Sequence, residues 1–340
     1  MDYFDKNIAN QGNLTNYYIV DVNDFVYNPR ISKYAPVGPL KRNTLKKGVM
    51  SPLYTILEPK NENLDFLEKY FETSKWYCFM YKIANYGARH DRMNILQNDF
   101  MKMPVVLPST KEQQKIANFL GSVDEWLENL RGQKSSLEEY KKGMMQKIFS
   151  AKGQRVPKIR FKDENGKEFG EWEKKMLMEL CEIKKGKQLN RSELSKSEGH
   201  PVINGGREPS GFTNSWNVSA NSVVISEGGN SCGYTNLIKE NFWCGGHCYT
   251  LKLNKAVELR FVYQKLKFLE KRIMRLRVGS GLPNIQKKDI EKLKLTVPNF
   301  LEQQKIAEFL TSLDNLIESK QKQISQAEEW KNGLIQGLFV

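Results

Sequence analysis

The chain has 340 residues, room for two or three domains, and its 39% hydrophobic and 27% charged content is that of an ordinary globular protein. No apolar run approaches a membrane span and the opening MDYFDKNIAN is no signal peptide, which argues against a membrane role and for the cytoplasm. Five cysteines without paired spacing argue against a disulfide framework, and a net charge of +14 points to a polyanionic partner.

In chain order, YYIVDVNDFVY (17–27) alternates β-branched and aromatic residues and predicts a strand. A Pro/Gly-interrupted basic loop (28–42), a strand over 48–59, a helix over 63–85 and a basic loop follow. A long helix runs over 108–150 and a polar connector over 151–160. In the next segment Trp172 and the Leu177–Leu180 pair read as buried and 184–191 as basic. A Gly-rich turn system (200–214), strand–loop–strand (218–238), a strand pair or one bent strand (242–253) and a basic helix (256–277) lead to a second long helix.

That second helix repeats the first. Pro108–Phe149 and Pro298–Phe339 align without a gap at an offset of 190, with 20 of 42 positions identical. Such self-similarity governs every other reading. Each proline blocks an earlier start; Ser109 or Thr110 caps the first copy and Asn299 the second. Apolar residues recur at heptad spacing. One line runs Ile116, Val123, Leu130, Leu137, with Phe119, Trp126 and Tyr140 three residues on; the second copy has Ile306, Leu313, Ala327, Leu334 with Phe309, Leu316 and Trp330. Leu120, Leu127, Leu310 and Ile317 widen the stripe; Lys320 and Gln323 interrupt it. The spacing suits two core helices of a bundle or, better, two roughly 55–60 Å rods packed on each other, parallel or antiparallel.

The repeat extends outside the rods. Asn94-Ile95 and Asp99 align with Asn284-Ile285 and Asp289, Tyr54 with Tyr249, Phe66 with Phe261, Asn23 with Asn221. The chain therefore reads as globule (1–107), rod (108–150), connector (151–160), globule (161–297) and rod (298–340), an α+β protein. Residue 1 aligns with about residue 199, so the first globule lacks a counterpart of roughly 157–198, as if truncated, misassigned at its start or completed by another polypeptide.

Charge is unevenly divided. The first rod carries seven Lys/Arg against six Asp/Glu and the second four against six, so the excess lies on the globules. Near-neutral rods between basic globules suggest nucleic acid bound by the globules. Catalytic motifs are missing: there is no P-loop and no amino-methyltransferase tetrad. Asp163 with Glu173-Lys174-Lys175 imitates a nuclease set but reads as solvated surface. Cys232, Cys244, His247 and Cys248 are poorly spaced for zinc and read as strand cysteines. DNA contact has more support. Lys184, Lys185 and Lys187; Asn204, Gly205, Gly206 and Arg207; Glu227, Gly228, Gly229, Asn230 and Ser231; and Arg277 with Ser280 combine donors with glycine. Arg reads guanine and Asn reads adenine, whereas Lys sets register on phosphates. Arg30, Lys33, Arg42, Arg89 and Arg92 are the first globule's counterparts.

The doubled Glu-Gln-Gln-Lys-Ile-Ala-x-Phe-Leu, preceded each time by Asn-Ile…Asp…Pro, resembles the specificity subunits of type I restriction–modification systems over residues 17–340. Gly170-Glu171-Trp172, Ile203-Asn204-Gly205-Gly206, Ser226-Glu227-Gly228-Gly229-Asn230 and Gly246-His247-Cys248-Tyr249 are similar to that family's target-recognition domains. The resemblance implies two target-recognition domains, each reading half of a bipartite DNA site, and two long helices packed as an antiparallel coiled coil. It implies a non-catalytic chain in defence against foreign DNA. Two methyltransferase subunits and restriction/translocase subunits would dock on it, with S-adenosylmethionine, ATP and Mg²⁺ on those partners. Glu227 stands where the family usually has Arg; a carboxylate there repels phosphate but accepts from cytosine N4, so Glu227 either reads a base or simply points away. The alternative is a degenerate or half specificity subunit, a scaffold that needs a second chain to recognise a full site.

Overall fold

A computed structural model describes residues 16–60, 63–86, 91–149, 157–279 and 283–339. The chain divides into two compact units. The first comprises Met1–Gly132 with Gln321–Val340, the second Gln133–Lys320. Both long helices, Thr110–Ile148 and Phe300–Leu338, contribute to each unit.

The helix starts are built alike. Ser109 Oγ and Asn299 Oδ1 accept the backbone N–H groups of Glu112 and Glu302, satisfying orphan first-turn donors. Gln113 and Gln303 Nε2 each donate back to the carbonyl of the preceding proline, at 2.9 Å in both copies.

In the first unit a three-stranded antiparallel sheet, ordered Leu40–Arg42, Phe25–Tyr27, Thr55–Leu57, packs on helix Leu64–Phe71, on Ala117, Leu120 and Ile335 of the long helices and on Phe339 just after the second. The sequence reading makes 17–27 one strand; Asn23, at φ 79°, breaks it into Tyr18–Val20 and Phe25–Tyr27. The strand read over 48–59 is also two, Gly48–Met50 and Thr55–Leu57, with Pro52 in the break. The single helix read over 63–85 is Leu64–Phe71 and Tyr77–Ile83, parted where the buried Thr73 hydroxyl donates to the Tyr70 carbonyl.

The second unit repeats that sheet and adds a strand, giving the order Thr235–Ile238, Ser222–Ser226, Cys248–Leu253, Cys181–Lys185. Helix Leu259–Met274 packs on it, and Asn221 repeats the positive φ of Asn23. A smaller sheet sets His200–Ile203 parallel to Trp243–Cys244 and antiparallel to Phe212–Thr213. The span 242–253 is thus two strands in two different sheets.

The long helices run antiparallel in each unit. In the first, Asp124 pairs with Lys331 and Arg131 with Glu328, so one helix advances as the other retreats. In the second, Lys141 pairs with Asp314 at 2.5 Å. Asp124 and Asp314 are equivalent in the repeat, as are Lys141 and Lys331, so one ion pair occurs twice. The heptad reading needs one correction. Val123, Leu130, Ile306, Leu313 and Ala327 are buried, and Ile116, Leu137, Phe309 and Leu334 half-buried. Phe119, Trp126 and Leu316, however, are 44%, 49% and 51% exposed, and of these Phe119 and Trp126 meet Trp330 of the opposite helix edge-on at the rim of the seam, at 6.4 and 6.3 Å. The second line of the seam runs one residue later, through Leu120, Leu127, Leu310 and Ile324. Both lines fit a period near seven, and only the facing helix selects the four-residue step over the three. Gln323 is likewise exposed, while Lys320 is half-buried.

Candidate nucleic-acid interface

The parallel pairing of His200–Ile203 with Trp243–Cys244 brings the ends of both strands, and the loops after them, to one place. The Gly245 N–H donates to the Ile203 carbonyl at 2.8 Å, and the His247 N–H to Asn204 Oδ1 at 3.2 Å. The main sheet delivers further loops to the same side chains. Gly205 N–H donates to Cys248 Sγ, Ser226 Oγ to the Gly205 carbonyl, and Glu227 N–H to the His247 carbonyl. Lys187 N–H bonds the Cys244 carbonyl. Gly229 N–H bonds the Pro283 carbonyl, next to the bridge of Gly228 with Asn284. Segments 184–187, 204–207, 227–231, 245–247 and 283–285 thus form one surface. Two glycines make the approach possible. A Cβ on Gly186 would lie 2.1 Å from the Gly245 carbonyl, and one on Gly245 would lie 2.3 Å from Asn204 Oδ1.

Lys184, Lys187, Gly206, Arg207, Asn230 and Arg277 are exposed, Asn204, Gly228, Gly229 and Ser231 half-buried, and Gly205 buried. Arg207 Cζ stands 5.6 Å from the centroid of the Tyr234 ring, a cation–π contact that braces the guanidinium. Lys184 pairs with Glu182 at 3.3 Å. Ser280 lies outside the described residues.

Of the two expected placements, Glu227 takes the one that points away from a base. It is 4% exposed, and its Oε1 accepts from Lys185 Nζ and from Tyr249 OH, each at 2.7 Å. A carboxylate so committed neither repels a phosphate nor accepts from a cytosine. Burial, then the hydrogen bond to Glu227, pushes the Tyr249 phenol well above its ordinary range. The sequence offered a signal for this partner, since Tyr249 closes the Gly246–Tyr249 motif. Gln188 belongs to no motif of the sequence, and His247 enters only through the same Gly246–Tyr249 motif and the unsuited zinc set. They line a hollow of about 610 Å³ with Leu189, Arg191, Leu194 and Asn204.

In the first unit Arg30, Lys33 and Arg92 are exposed. Arg30 and Arg92 are joined by a backbone bridge, as Gly228 and Asn284 are in the second unit. Arg42 is not available to an outside ligand: its guanidinium is held by Asp65 at 2.6 Å and by Asn23 Oδ1 at 2.6 and 3.0 Å. Arg89 lies outside the described residues. Glu173 pairs with Lys175 at 2.7 Å on an exposed strand, which accounts for that carboxylate–lysine set as surface. Cys232, Cys244 and Cys248 are buried; hydrogen bonding to Cys248, then burial, raises the Cys244 thiol far above its ordinary value. Among the described residues no group of His, Cys, Asp and Glu is arranged to hold a metal ion.

Residues 170–329 match the model of the Type I restriction modification DNA specificity domain. The chain is 36% identical over 150 residues to S.MpnORF638P of Mycoplasma pneumoniae, assigned as a type I specificity subunit. That match covers 43% of this chain and 40% of the relative. The Type I restriction enzyme MjaVIII specificity subunit of Methanocaldococcus jannaschii is 27% identical over 316 residues, 85% of this chain and 73% of that one. The chain is similar to type I specificity subunits over most of its length. It spans well under two thirds of the length of the Mycoplasma relatives it matches, 40% and 39%. The S subunit of a type I restriction–modification system from M. genitalium has the same fold, with a TM-score of 0.63 at 20% identity, over 94% of this chain and 84% of that one. The family fold thus accounts for the two mixed domains and the antiparallel pair of long helices. Among the described residues no helix is long and apolar enough to cross a membrane.

Proposed function

We propose that the chain is the DNA-reading, non-catalytic subunit of a type I restriction–modification complex. Each globule reads half of a bipartite site, and the paired long helices set the spacing and dock methyltransferase and restriction subunits. S-adenosylmethionine, ATP and Mg²⁺ act on those partners. The observation that carries the reading is the convergence of five loops, remote in sequence, on one surface of the second unit. That surface exposes Lys184, Lys187, Arg207, Asn230 and Arg277 on a globule that shares the chain's excess positive charge. Arg and Asn are the side chains that read purines bidentately, and lysines hold the backbone. The near-neutral rods suit protein partners better than DNA.

The test is methylome sequencing of cells with and without the chain. Loss of a bipartite methylation motif supports the reading; an unchanged methylome overturns it. Within the site, Arg207→Ala is expected to weaken binding by about 1–3 kcal/mol at one base position, and equal losses on specific and random DNA would contradict base reading. A second reading, a half subunit completed by another chain, draws on one observation. Among the described residues the first unit has no counterpart of strand Cys181–Lys185 beside Thr55–Leu57. A methylation motif with a single specified half would favour it.

A further inference from the structure

Glu227 is a buried carboxylate at the end of strand Ser222–Ser226, at the centre of the loop surface. Its backbone is tied on both sides: its N–H bonds the His247 carbonyl at 2.8 Å, and its own carbonyl accepts the Ile285 N–H at 2.9 Å. Its Oε1 is shared by Tyr249 OH, which is buried, and by Lys185 Nζ, whose side chain remains 54% exposed. A buried charge is costly unless paired, and removing one partner of such a pair leaves the other uncompensated. The consequence falls on Lys185. Its ammonium has three donors on a flexible stem, and by itself would meet any phosphate within reach. Anchored on Glu227, it keeps one position while its remaining donors face solvent. Its charge is also largely offset, so it adds little to sequence-independent attraction.

We propose that Glu227 is a positioning residue for DNA recognition: its buried carboxylate fixes the Lys185 ammonium so that this cation meets one phosphate in register with the bases read by the neighbouring loops. The inference rests on the DNA-reading function proposed above. It makes Glu227 act through Lys185, without contact to DNA.

The experiment uses the full chain, a duplex carrying the methylome-derived site and a scrambled duplex, with fluorescence anisotropy over a salt series. Glu227→Gln keeps the shape and removes the charge. It is expected to tighten binding to scrambled DNA, to lower the specific-to-scrambled ratio by about tenfold, and to steepen the salt slope on scrambled DNA by about 0.9, the value of one further phosphate contact. Adding Lys185→Met to Glu227→Gln is expected to abolish that steepening. A Glu227→Gln protein with the wild-type slope and ratio overturns the proposal, because a merely structural carboxylate would leave both unmoved. Should Glu227→Gln fail to fold, Lys185→Met alone decides. A larger loss on the specific duplex than on the scrambled one supports the proposal, and equal losses overturn it. Wild-type protein that does not distinguish the two duplexes overturns the DNA reading itself, and this inference with it.

Discussion

The two units use the same helix motif in different surroundings, and the difference shows what sets burial. Glu112 and Glu302 are the same residue of the repeat. Glu302 is fully buried: Arg160 donates to it through Nε at 3.1 Å and Nη2 at 2.7 Å, and Trp172 Nε1 donates at 3.2 Å. Glu112 is exposed. Phe309 packs on Phe161 with ring centroids 5.8 Å apart, while its equivalent Phe119 lies on the surface. Arg160, Phe161 and Trp172 all belong to the second unit. Burial of a repeated residue is therefore decided by what the globule lays over it, not by the helix sequence.

Elsewhere the units keep the geometry and exchange the chemistry. Helix Leu64–Phe71 corresponds to the start of Leu259–Met274, each capped by a side chain that accepts from the third following N–H, Asn63 in one and Glu258 in the other. Lys69 and Tyr70 meet Asp124 and Phe339 in the first unit, and their equivalents Gln264 and Lys265 meet Asp314 and Phe149 in the second. Tyr70 packs edge-on against Phe339; Lys265 lays its ammonium over Phe149 at 4.8 Å and Trp172 at 5.3 Å, and bonds Thr296 Oγ1 at 3.0 Å.

The largest test of this contrast is at the paired glutamates. Glu302→Ala strands Arg160 and the Trp172 indole, and is expected to cost about 4 kcal/mol by urea unfolding, whereas Glu112→Ala should stay within about 0.5 kcal/mol. Comparable losses at both would break the comparison. Next is the seam. Leu127→Ala, which empties a buried position, is expected to cost about 3 kcal/mol, and Trp126→Ala beside it under about 1 kcal/mol. The reverse order would restore the uncorrected register.

Lys265 gives a pH-dependent test. Burial pushes its amine down to about 7, so the folded state releases a proton that the unfolded chain keeps. The resulting penalty is absent above the ordinary lysine value, grows as pH falls towards 7, and is constant below it. Lys265→Met is expected to stabilise the protein by roughly 2 kcal/mol at pH 7, the gain fading by about pH 10.5. Tyr70→Phe should show no such dependence between pH 7 and about 9, below the range in which its burial-raised phenol matters. The smallest effect is at Asp124. Burial raises its carboxyl, but hydrogen bonds from Lys331 and Lys69 outweigh that and hold it below its ordinary value. Its contribution is therefore present above about pH 4 and lost as pH falls further. Asp124→Asn should cost about 1 kcal/mol at pH 7, allowing for partial exposure, and progressively less as pH falls below about 4.

The sequence by itself determined the order of globules and rods, the capped starts of both long helices, and one of the two seam lines. Those features are local or repeated: a proline, a capping side chain and a heptad need no distant partner to be read. It also located three of the five loops, 184–187, 204–207 and 227–231, since glycine beside Asn, Arg or Lys is visible in one dimension. Tertiary structure alone decided the second seam line, because a three- or four-residue step is chosen by the opposing helix. It alone reassigned Arg42 and Glu227 from outward contacts to internal ones, because the partners that hold them, Asp65 with Asn23 and Lys185 with Tyr249, stand 19 to 42 residues away along the chain. A charged residue in a loop looks the same in sequence whether its partner is solvent, a ligand or the fold. Only the folded chain brings up the opposite charge that settles the matter.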